Sequence, residues 1–176
     1  MNRQKTPLSH LSFRLTDHSD ALYLTKWLSD PEVLHWFPMI TQPEVVDAIR
    51  IWIGYSRFGS GITVEHNNVP CGMATLYIQA YEKLKHTCLF SIIVQKDKRG
   101  CGIGSLLMEN LMKLAQEKFN ISILHLEVYE GNPAYKMYAK LGFTEFGCQE
   151  RFIKEKNVLL PTKTIFNFNM MQPLKF

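Results

Sequence analysis

The feature that most constrains the fold of this chain is a glycine-rich turn with a strand pattern before it and a helix pattern after it. The apolar, β-branched run at 88–94 predicts a buried strand. The apolar residues of 103–115 recur three and four positions apart, which predicts one face of a helix. Gly100, Gly102 and Gly104 lie between the two patterns. A helix that starts directly after glycines offers unpaired backbone N–H groups and the positive end of its dipole, so this turn is a candidate anion site.

The spacing of the glycines distinguishes between phosphate-binding turns. A Walker P-loop ends in Gly-Lys-Ser/Thr, whereas Gly104 is followed by Ser105 and Leu106. A Rossmann turn places its third glycine one position later than this chain does. The pattern Arg-x-x-Gly-x-Gly does fit, as Arg99, Gly102 and Gly104, and it resembles the acetyl-CoA pyrophosphate loop of the GNAT superfamily of N-acetyltransferases. For this motif alone, a turn that serves only packing is the alternative.

A second segment resembles the same family. The run at 124–129 alternates as a strand, and Asn132 predicts the N-cap of a helix at 133–141. This helix carries Tyr138 ahead of a Leu-Gly-Phe sequence, as the second GNAT motif does. The stretch from Asn132 to Tyr138 is one residue shorter than is usual in the family. It stays open at this point whether Asn132 or Gly131 holds the family's Asn position.

The predicted elements follow the order of the GNAT fold. The resemblance implies a single domain over residues 1–176, of the α/β (α+β) class, with a mixed central sheet of about seven strands and helices on both faces. A Thr41–Glu44 capping box marks the start of the second helix. The predicted strands are 11–15, 62–65, 71–78, 86–94, 123–129, 143–153 and 164–170, and the predicted helices are 17–28, 41–59, 103–119 and 133–141.

Composition excludes several classes of function. Hydrophobic residues make up 46% of the 176 residues, which is enough for a sizeable core. No stretch reaches the roughly 20 apolar residues that span a bilayer, and the polar N-terminus lacks the apolar centre of a signal peptide. The 4 cysteines and 6 histidines are scattered, which predicts reduced thiols, a cytoplasmic location and no metal site. The net charge of +4 is spread along the chain, so we expect no nucleic-acid and no membrane partner. A homodimer is compatible with these features.

The resemblance implies acetyl-CoA as co-substrate, without a metal. In this family the strand before the glycine loop separates from its neighbour and offers backbone groups to the pantetheine arm. Lys136 and Lys140 are weaker candidates for contacts with the CoA phosphates. Cys101 is not predicted as a nucleophile, because no His or Asn partner can be identified for it. The implied acetyl-CoA-binding residues are Ile92, Val94, Arg99, Gly100, Cys101, Gly102, Ile103, Gly104, Ser105 and Asn132.

GNAT enzymes pass the acetyl group directly from CoA to an amine, which requires a base for the amine and benefits from a proton donor for the departing thiolate. Tyr138 is the predicted acid, and a packing role is its alternative. Glu127 is the predicted base, because its Leu-Glu-Val segment is similar to one in some protein N-terminal acetyltransferases. A solvent-facing strand position is the alternative for Glu127. His86 is a weaker candidate base, and a water path to backbone carbonyls would leave no trace in the sequence.

The sequence leaves the acceptor open. The resemblance implies that the first two helices and the last hairpin build its site, and the segment 30–33 with the aromatics after it resembles the branch acting on ribosomal protein N-termini and small amines. Core packing explains these aromatics as well as a substrate pocket does. The predicted function is acetyl-CoA-dependent N-acetyl transfer to a primary amine of a small molecule or peptide. A non-catalytic acyl-CoA-binding regulatory module and a nucleotide-binding α/β domain are the alternatives. The aromatic residues in question are Trp27, His35, Trp36, Phe37 and Trp52.

Overall fold

A computed structural model describes residues 9–154 and 164–174, which form one mixed sheet with helices on both faces, as the sequence predicts. The polar N-terminal segment 1–8 lies outside the described residues. The strands are β1 (Leu11–Leu15), β2 (Gly61–His66), β3 (Val69–Tyr77), β4 (Thr87–Val94), β5 (Ile123–Tyr129), β6 (Thr144–Lys154) and β7 (Thr164–Pro173). Their order is β1-β2-β3-β4-β5-β7-β6, and neighbours are antiparallel except β4 and β5. The helices are α1 (Ala21–Leu28), α2 (Pro31–Leu34), α3 (Gln42–Gly54), α4 (Ile103–Phe119) and α5 (Tyr135–Lys140).

Each face of the sheet packs against its own helices. On one face, α4 and α5 bury an apolar cluster that includes Leu107 and Leu111 of α4 with Leu126 of β5. On the other face, α1, α2 and α3 bury a second cluster that includes Trp27 and Trp52, each 4% exposed. The side chains of successive strand residues therefore enter different cores, because they point alternately to the two faces. This alternation decides which residues of β4 and β5 can meet a common ligand.

One local prediction is confirmed in the structure, and a tight turn shows a second local feature. The Glu44 carboxylate accepts a hydrogen bond from the Thr41 N–H at 2.7 Å, as expected of a capping box at the start of α3. The turn between β2 and β3 places Asn67 and Asn68 at positive φ, 53° and 63°, where Asn is tolerated. Both features depend on residue types at a few neighbouring positions, so both can be recognised from the local sequence.

The first helix begins later than predicted, and a short helix that the sequence pattern does not predict follows it. Asp17 caps a turn of 3-10 helix, accepting from the Ser19 N–H at 2.7 Å, so α1 begins at Ala21 and not at Asp17. The Asp30–Pro31 break begins a helix of its own, α2, because the Asp30 carboxylate accepts from the Glu32 N–H at 2.9 Å. This extra helix carries the chain across the face of the sheet that α1 and α3 cover.

The predicted start of α5 at Pro133 is wrong. The Asn132 side-chain oxygen accepts from the Ala134 N–H at 2.9 Å, and the Asn132 carbonyl accepts from the Tyr135 N–H at 3.1 Å. Asn132 thus caps a separate turn, which the chain enters through Gly131 at φ +81°, and α5 begins only at Tyr135. The bond from Asn132 to the residue two ahead is also the one with which Asp30 caps α2, so this bond occurs in turns and at helix starts alike.

Candidate active site

The strands β4 and β5 are paired along only part of their length. Residues 87–89 pair with residues 123–125, whereas β4 continues to Val94 and β5 to Tyr129. A cleft of about 610 Å³ lies between the two strands and is lined by residues of both beyond the paired segment. The separation that the sequence resemblance implies is therefore present at the carboxyl ends of these strands.

The separation exposes one backbone edge of β4. The Gln95 N–H donates to the carbonyl of Cys71 in β3, at 2.8 Å. Because backbone groups alternate in direction along a strand, Ile92 and Val94 direct theirs to the opposite side, into the cleft. On that side the Val94 carbonyl accepts from Nε of Arg99 at 2.8 Å. An extended ligand can therefore pair with β4 in place of the missing strand.

The glycine turn closes one end of the cleft. Gly100 and Gly102 adopt φ values of +78° and +90°, a conformation that favours glycine, and α4 begins directly after them. The Leu106 N–H donates to the Gly102 carbonyl at 3.2 Å and starts the hydrogen bonding of the helix. The N–H groups of 103–105 precede this bond and have no partner within the helix, so they can hold an anion at the positive end of the helix dipole.

Two further observations fit an anionic group that comes close to the backbone. A Cβ atom added to Gly104 would lie 3.0 Å from Sδ of Met137, so only glycine leaves the space between α4 and α5 open. Arg99 lines the cleft half-buried, and burial lowers the pKa of its guanidinium, which stays charged at neutral pH. A partly desolvated cation beside a helix N-terminus favours a bound anion.

Tyr138 lines the cleft from α5. Its side chain is 6% exposed, and its ring lies edge-on to Phe90 and Phe143, with centroid distances of 6.1 Å and 5.8 Å. Burial raises the pKa of the Tyr138 phenol above its ordinary value of 10.0. The ring thus has a packing role, while the hydroxyl stays protonated over the whole neutral range.

Glu127 lines the same cleft from β5 but on the other side of the sheet. Leu126 and Val128 belong to the core under α4, so the alternation of the strand places Glu127 and Tyr129 on the face covered by α1, α2 and α3. Burial, and secondly the Glu127 charge, raise the pKa of Tyr129 to about 12. Burial lowers the pKa of His125, and the same Glu127 charge opposes that shift.

The sequence gives no sign of a hydroxyl pair on the Glu127 side of the cleft. The Tyr77 hydroxyl donates to Oγ of Ser91 at 2.9 Å, and Ser91 lines the cleft two residues beyond the last residue of β4 paired with β5. The Tyr77 ring lies edge-on to Tyr55 at 5.3 Å, and burial raises the pKa of Tyr77. The antiparallel register of β3 and β4 brings the pair together, and no local motif predicts that register.

Aromatic side chains close the cleft on this side. Trp36 and Phe37 follow α2 and line the cleft, together with Phe152 of β6. Phe37 lies edge-on to the buried Trp52 of α3 at 6.0 Å, which holds the segment after α2 against the helix layer. The aromatic set is therefore divided: Trp27 and Trp52 belong to the core, whereas Trp36 and Phe37 line the cleft.

The structure brings ten of the twelve predicted site residues to one cleft. Cys101 and Ile103 do not line it, because the Cys101 thiol lies 3.7 Å from the Arg99 carbonyl and the Ile103 side chain is 1% exposed in the core. For Ile103, only its backbone N–H at the start of α4 can take part in binding. The predicted residues that line the cleft are Ile92, Val94, Arg99, Gly100, Gly102, Gly104, Ser105, Glu127, Asn132 and Tyr138.

The weaker candidates lie elsewhere. His86 is exposed and precedes β4, at the end of the strand away from the cleft. Lys136 and Lys140 are exposed on α5 and do not line the cleft. Within 9–154 and 164–174, no three His, Cys, Asp or Glu side chains cluster as metal ligands would. No helix in this part of the chain combines the length and apolarity needed to cross a membrane.

Comparisons with known proteins point to one family. The model of the acetyltransferase (GNAT) family matches residues 21–143. A [ribosomal protein bS18]-alanine N-acetyltransferase of Haemophilus influenzae is 36% identical over 69 residues, which are 39% of this chain and 47% of that protein. An N-alpha-acetyltransferase of Sulfurisphaera tokodaii is 43% identical over 56 residues, which are 31% of this chain and 34% of that protein. The match thus spans less than half the length of either relative.

Solved structures share the fold over almost the whole chain. The yncA protein of Salmonella typhimurium, solved with its cofactor acetyl-CoA, has a TM-score of 0.76 at 17% identity and covers 95% of each chain. The spermidine N-acetyltransferase of Vibrio cholerae, solved with CoA and spermine, has a TM-score of 0.75 at 16% identity, covering 94% of this chain and 96% of that one. The ribosomal-protein-alanine N-acetyltransferase of Brucella melitensis has a TM-score of 0.75 at 19% identity, with 93% and 99% covered.

Proposed function

We propose that this chain, which belongs to the acetyltransferase (GNAT) family, transfers an acetyl group from acetyl-CoA to a primary amine of a small molecule or peptide. The observation that carries the proposal is the cleft between β4 and β5. Its two sides have complementary chemistry, because an open strand edge and a helix N-terminus lie on one side and a carboxylate lies on the other.

The α4 side of the cleft has the features that acetyl-CoA requires. The backbone groups of Ile92 and Val94 can pair with the amides of the pantetheine arm, as in strand addition. The N–H groups at the start of α4 and the guanidinium of Arg99 can hold the pyrophosphate. Acetyl-CoA, when bound, supplies the acetyl group as a thioester, which is activated for transfer to an amine. The side chain of Asn132 stays with the turn before α5 and contributes by shaping the cleft wall.

Glu127 and Tyr138 can supply the proton transfers. An amine attacks only when neutral, so Glu127 takes the ammonium proton, directly or through one water, before the C–N bond forms. The second proton, which the nitrogen loses as it becomes an amide, leaves to solvent. The C–S bond breaks as the sulfur leaves, and Tyr138 donates a hydrogen bond to that sulfur. Because burial raises the pKa of Tyr138 above the value of roughly 8.5 typical of a thiol, hydrogen bonding dominates over full proton transfer, and solvent protonates the released thiolate.

Mass spectrometry of amine acetylation tests this function directly. The purified full chain is incubated with acetyl-CoA and a panel of amines and peptides, and the acetylated amine is identified by its mass. We avoid thiol-reactive dyes for CoA release because Cys148 is an exposed free thiol. Controls without amine measure hydrolysis. We expect stoichiometric formation of acetylated amine and CoA, dependent on both substrates.

The alternatives give different outcomes. A regulatory acyl-CoA-binding module would show a CoA-dependent rise in melting temperature without any acetylated product. A nucleotide-binding domain would be stabilised more by ATP or NAD than by CoA. The finer features inferred from the sequence, a cytoplasmic location and a homodimer, stay predictions.

A further inference from the structure

We infer that the acceptor is a primary amine with one large apolar substituent and no second charge, an inference that rests on the proposed acetyl transfer. An arylalkylamine and a peptide that begins with a bulky apolar residue share this chemistry. The inference comes from the acceptor half of the cleft, which we define as the lining residues on the face covered by α1, α2 and α3 together with Phe152 of β6, which also lines the cleft. The acceptor-half residues that carry the argument are Trp36, Phe37, Ser91, Glu127, Tyr129 and Phe152.

The charge of the acceptor half limits the charge of its ligand. Among the described residues that line the cleft, Glu127 is the one carboxylate and Arg99 the one guanidinium, and Arg99 lies at the glycine turn. The described residues of the acceptor half therefore offer one negative charge, which matches one ammonium group. A second ammonium placed there would lose hydration against aromatic surface, and the described lining holds no second carboxylate to compensate.

Other carboxylates near β6 do not extend this site. Cys148 is exposed, and slight desolvation and then the charges of Glu145, Glu150 and Glu130 raise the pKa of its thiol. None of the three lines the cleft. The three carboxylates near Cys148 and the Glu127 carboxylate of the cleft are thus separate features. A polyamine would need to contact both groups of carboxylates at once.

Ser91 and Glu127 define where the ammonium group sits. The last paired residues of β4 and β5 are Leu89 and His125, and Ser91 and Glu127 each lie two positions further along, so both side chains project to the same face as the strands part. Tyr77 donates its proton to Oγ of Ser91, which leaves that oxygen a second lone pair for an N–H of the amine. A hydroxyl oxygen and a carboxylate thus face the point where the strands open toward the acetyl-CoA side.

The apolar substituent has a wall of its own. Trp36, Phe37 and Phe152 come from two distant parts of the chain and line the same cleft as Ser91 and Glu127. Phe37 is held by its edge-on contact with Trp52, and Lys96 pairs with Glu32 of α2 at 2.7 Å, which ties the segment before Trp36 to the end of β4. The wall is therefore positioned before any ligand binds, which favours a rigid apolar group.

The test measures binding and turnover separately. Binding of 2-phenylethylamine, n-propylamine and spermidine to the CoA complex of the full chain is titrated at equal free-base concentrations, and kcat/KM is measured with acetyl-CoA. Peptides that differ only in a first residue of Leu, Gly or Glu form the second arm. We expect the apolar member of each arm to be preferred about 10- to 100-fold over the small one, as burial of a side chain of that size implies. Preference in the amine arm alone indicates a small-amine acceptor, and preference in the peptide arm alone indicates a peptide acceptor. Preference in both arms indicates a site that accepts either source.

A pair of phenylalanines on one strand provides a matched control. Phe152 lines the cleft and is 50% exposed, whereas Phe146 lies on the same strand, is 60% exposed and does not line the cleft. Phe152→Ser should lower the preference for 2-phenylethylamine over n-propylamine about fivefold or more, while Phe146→Ser leaves that ratio unchanged. Because both residues are half-exposed, neither variant threatens the core.

The outcomes separate this inference from the proposed function. Equal or tighter binding of the small member in both arms, n-propylamine and the Gly peptide, or equal or tighter binding of spermidine, overturns the apolar acceptor while leaving acetyl transfer intact. An identical effect of Phe152→Ser and Phe146→Ser on the ratio also overturns it. Preferential binding of the apolar amines without acetylated product supports the acceptor site and contradicts the proposed catalytic function.

Discussion

The two halves of the cleft are built in opposite ways. The half that suits acetyl-CoA uses backbone groups of one nearly continuous stretch, from Ile92 to Ser105, and the turn and helix at 132–138. The acceptor half uses side chains that come from α2 and the loop after it, from β4 and β5 and from the end of β6. Backbone groups bind a ligand whatever the neighbouring side chains are, so the first half can stay the same while the second changes its acceptor.

We expect the largest effect from a substitution in the glycine turn, which should remove CoA binding without changing the acceptor half. Gly104→Val should abolish CoA binding, because the new side chain occupies the approach to the α4 N-terminus. The added Cβ would meet the flexible end of Met137 at 3.0 Å, so we expect the protein to stay folded. Gly54→Val, in the last turn of α3 with nothing within 4 Å of the added Cβ, is the matched control for valine in a helix. Calorimetric titration with CoA and the melting temperature check both points, and unchanged CoA affinity in folded Gly104→Val would contradict the pyrophosphate assignment.

Tyr138→Phe tests the proton donor without disturbing the packing of its ring. We expect kcat to fall about 10- to 1,000-fold with little change in CoA affinity, because only the hydroxyl is lost. Tyr135→Phe is the control on the same helix, since its hydroxyl bonds to Glu145 outside the cleft, at 3.0 Å. Parallel losses of kcat, CoA affinity and melting temperature in Tyr138→Phe would leave Tyr138 with a packing role only.

The raised pKa of Tyr138 also predicts a pH profile. Burial favours the neutral phenol, so its pKa in the folded protein lies above the ordinary 10.0 and the donor form persists as the pH rises. We therefore expect no alkaline loss of kcat from this residue up to pH 10. A loss of kcat around pH 8 to 9 that disappears in Tyr138→Phe would show that the phenol ionises much earlier than its burial implies.

Glu127→Gln tests the base on the acceptor side. It should lower activity about 10- to 100-fold near neutral pH, because glutamine cannot take up the ammonium proton. The deficit should shrink as the pH rises and more amine is already neutral. Glu130→Gln, in the exposed turn after β5 and outside the cleft lining, should leave the profile unchanged. A deficit that is constant from acidic to alkaline pH would remove Glu127 from the proton transfer.

The smallest expected effect comes from the hydroxyl pair. Tyr77→Phe removes the bond to Ser91 and should raise KM for the amine about 2- to 10-fold, as the loss of one hydrogen bond implies, while the affinity for CoA stays the same. Tyr23→Phe, on α1 and outside the cleft lining, serves as the control. An equal loss of CoA affinity in Tyr77→Phe would mean that the pair supports the whole cleft and not the acceptor half.

The contrast between the halves explains what the sequence could and could not predict. The glycine loop, Tyr138 and the capping box of α3 are signals carried by a few neighbouring residues, and the structure has these features where the patterns indicate. The acceptor half depends on the register that joins Tyr77 to Ser91 and on the tertiary fold that brings Phe152 of β6 and Trp36 to one cleft. Such long-range contacts leave no local pattern, because any strand with suitable alternation could carry these residues.

Local sequence patterns also misplace a helix start where the same residues can form either a turn or a helix cap. Asn132 followed by Pro133 is typical of a helix start, yet the side-chain bond to Ala134 forms a turn and delays α5. Asp17 likewise caps a 3-10 turn before α1. In both cases a carbonyl-bearing side chain bonds two residues ahead, and the same residue types serve turns and helix caps equally well.

The central claim is that the open edge of β4 binds acetyl-CoA, and backbone amide exchange measured by NMR tests it residue by residue. Ser91 and Ile93 direct their N–H groups to β3, whereas Ile92 and Val94 direct theirs into the cleft. Saturating CoA should slow the exchange of Ile92 and Val94 and leave the already slow Ser91 and Ile93 unchanged. Exchange at Ile92 and Val94 that is the same with and without bound CoA would contradict the account.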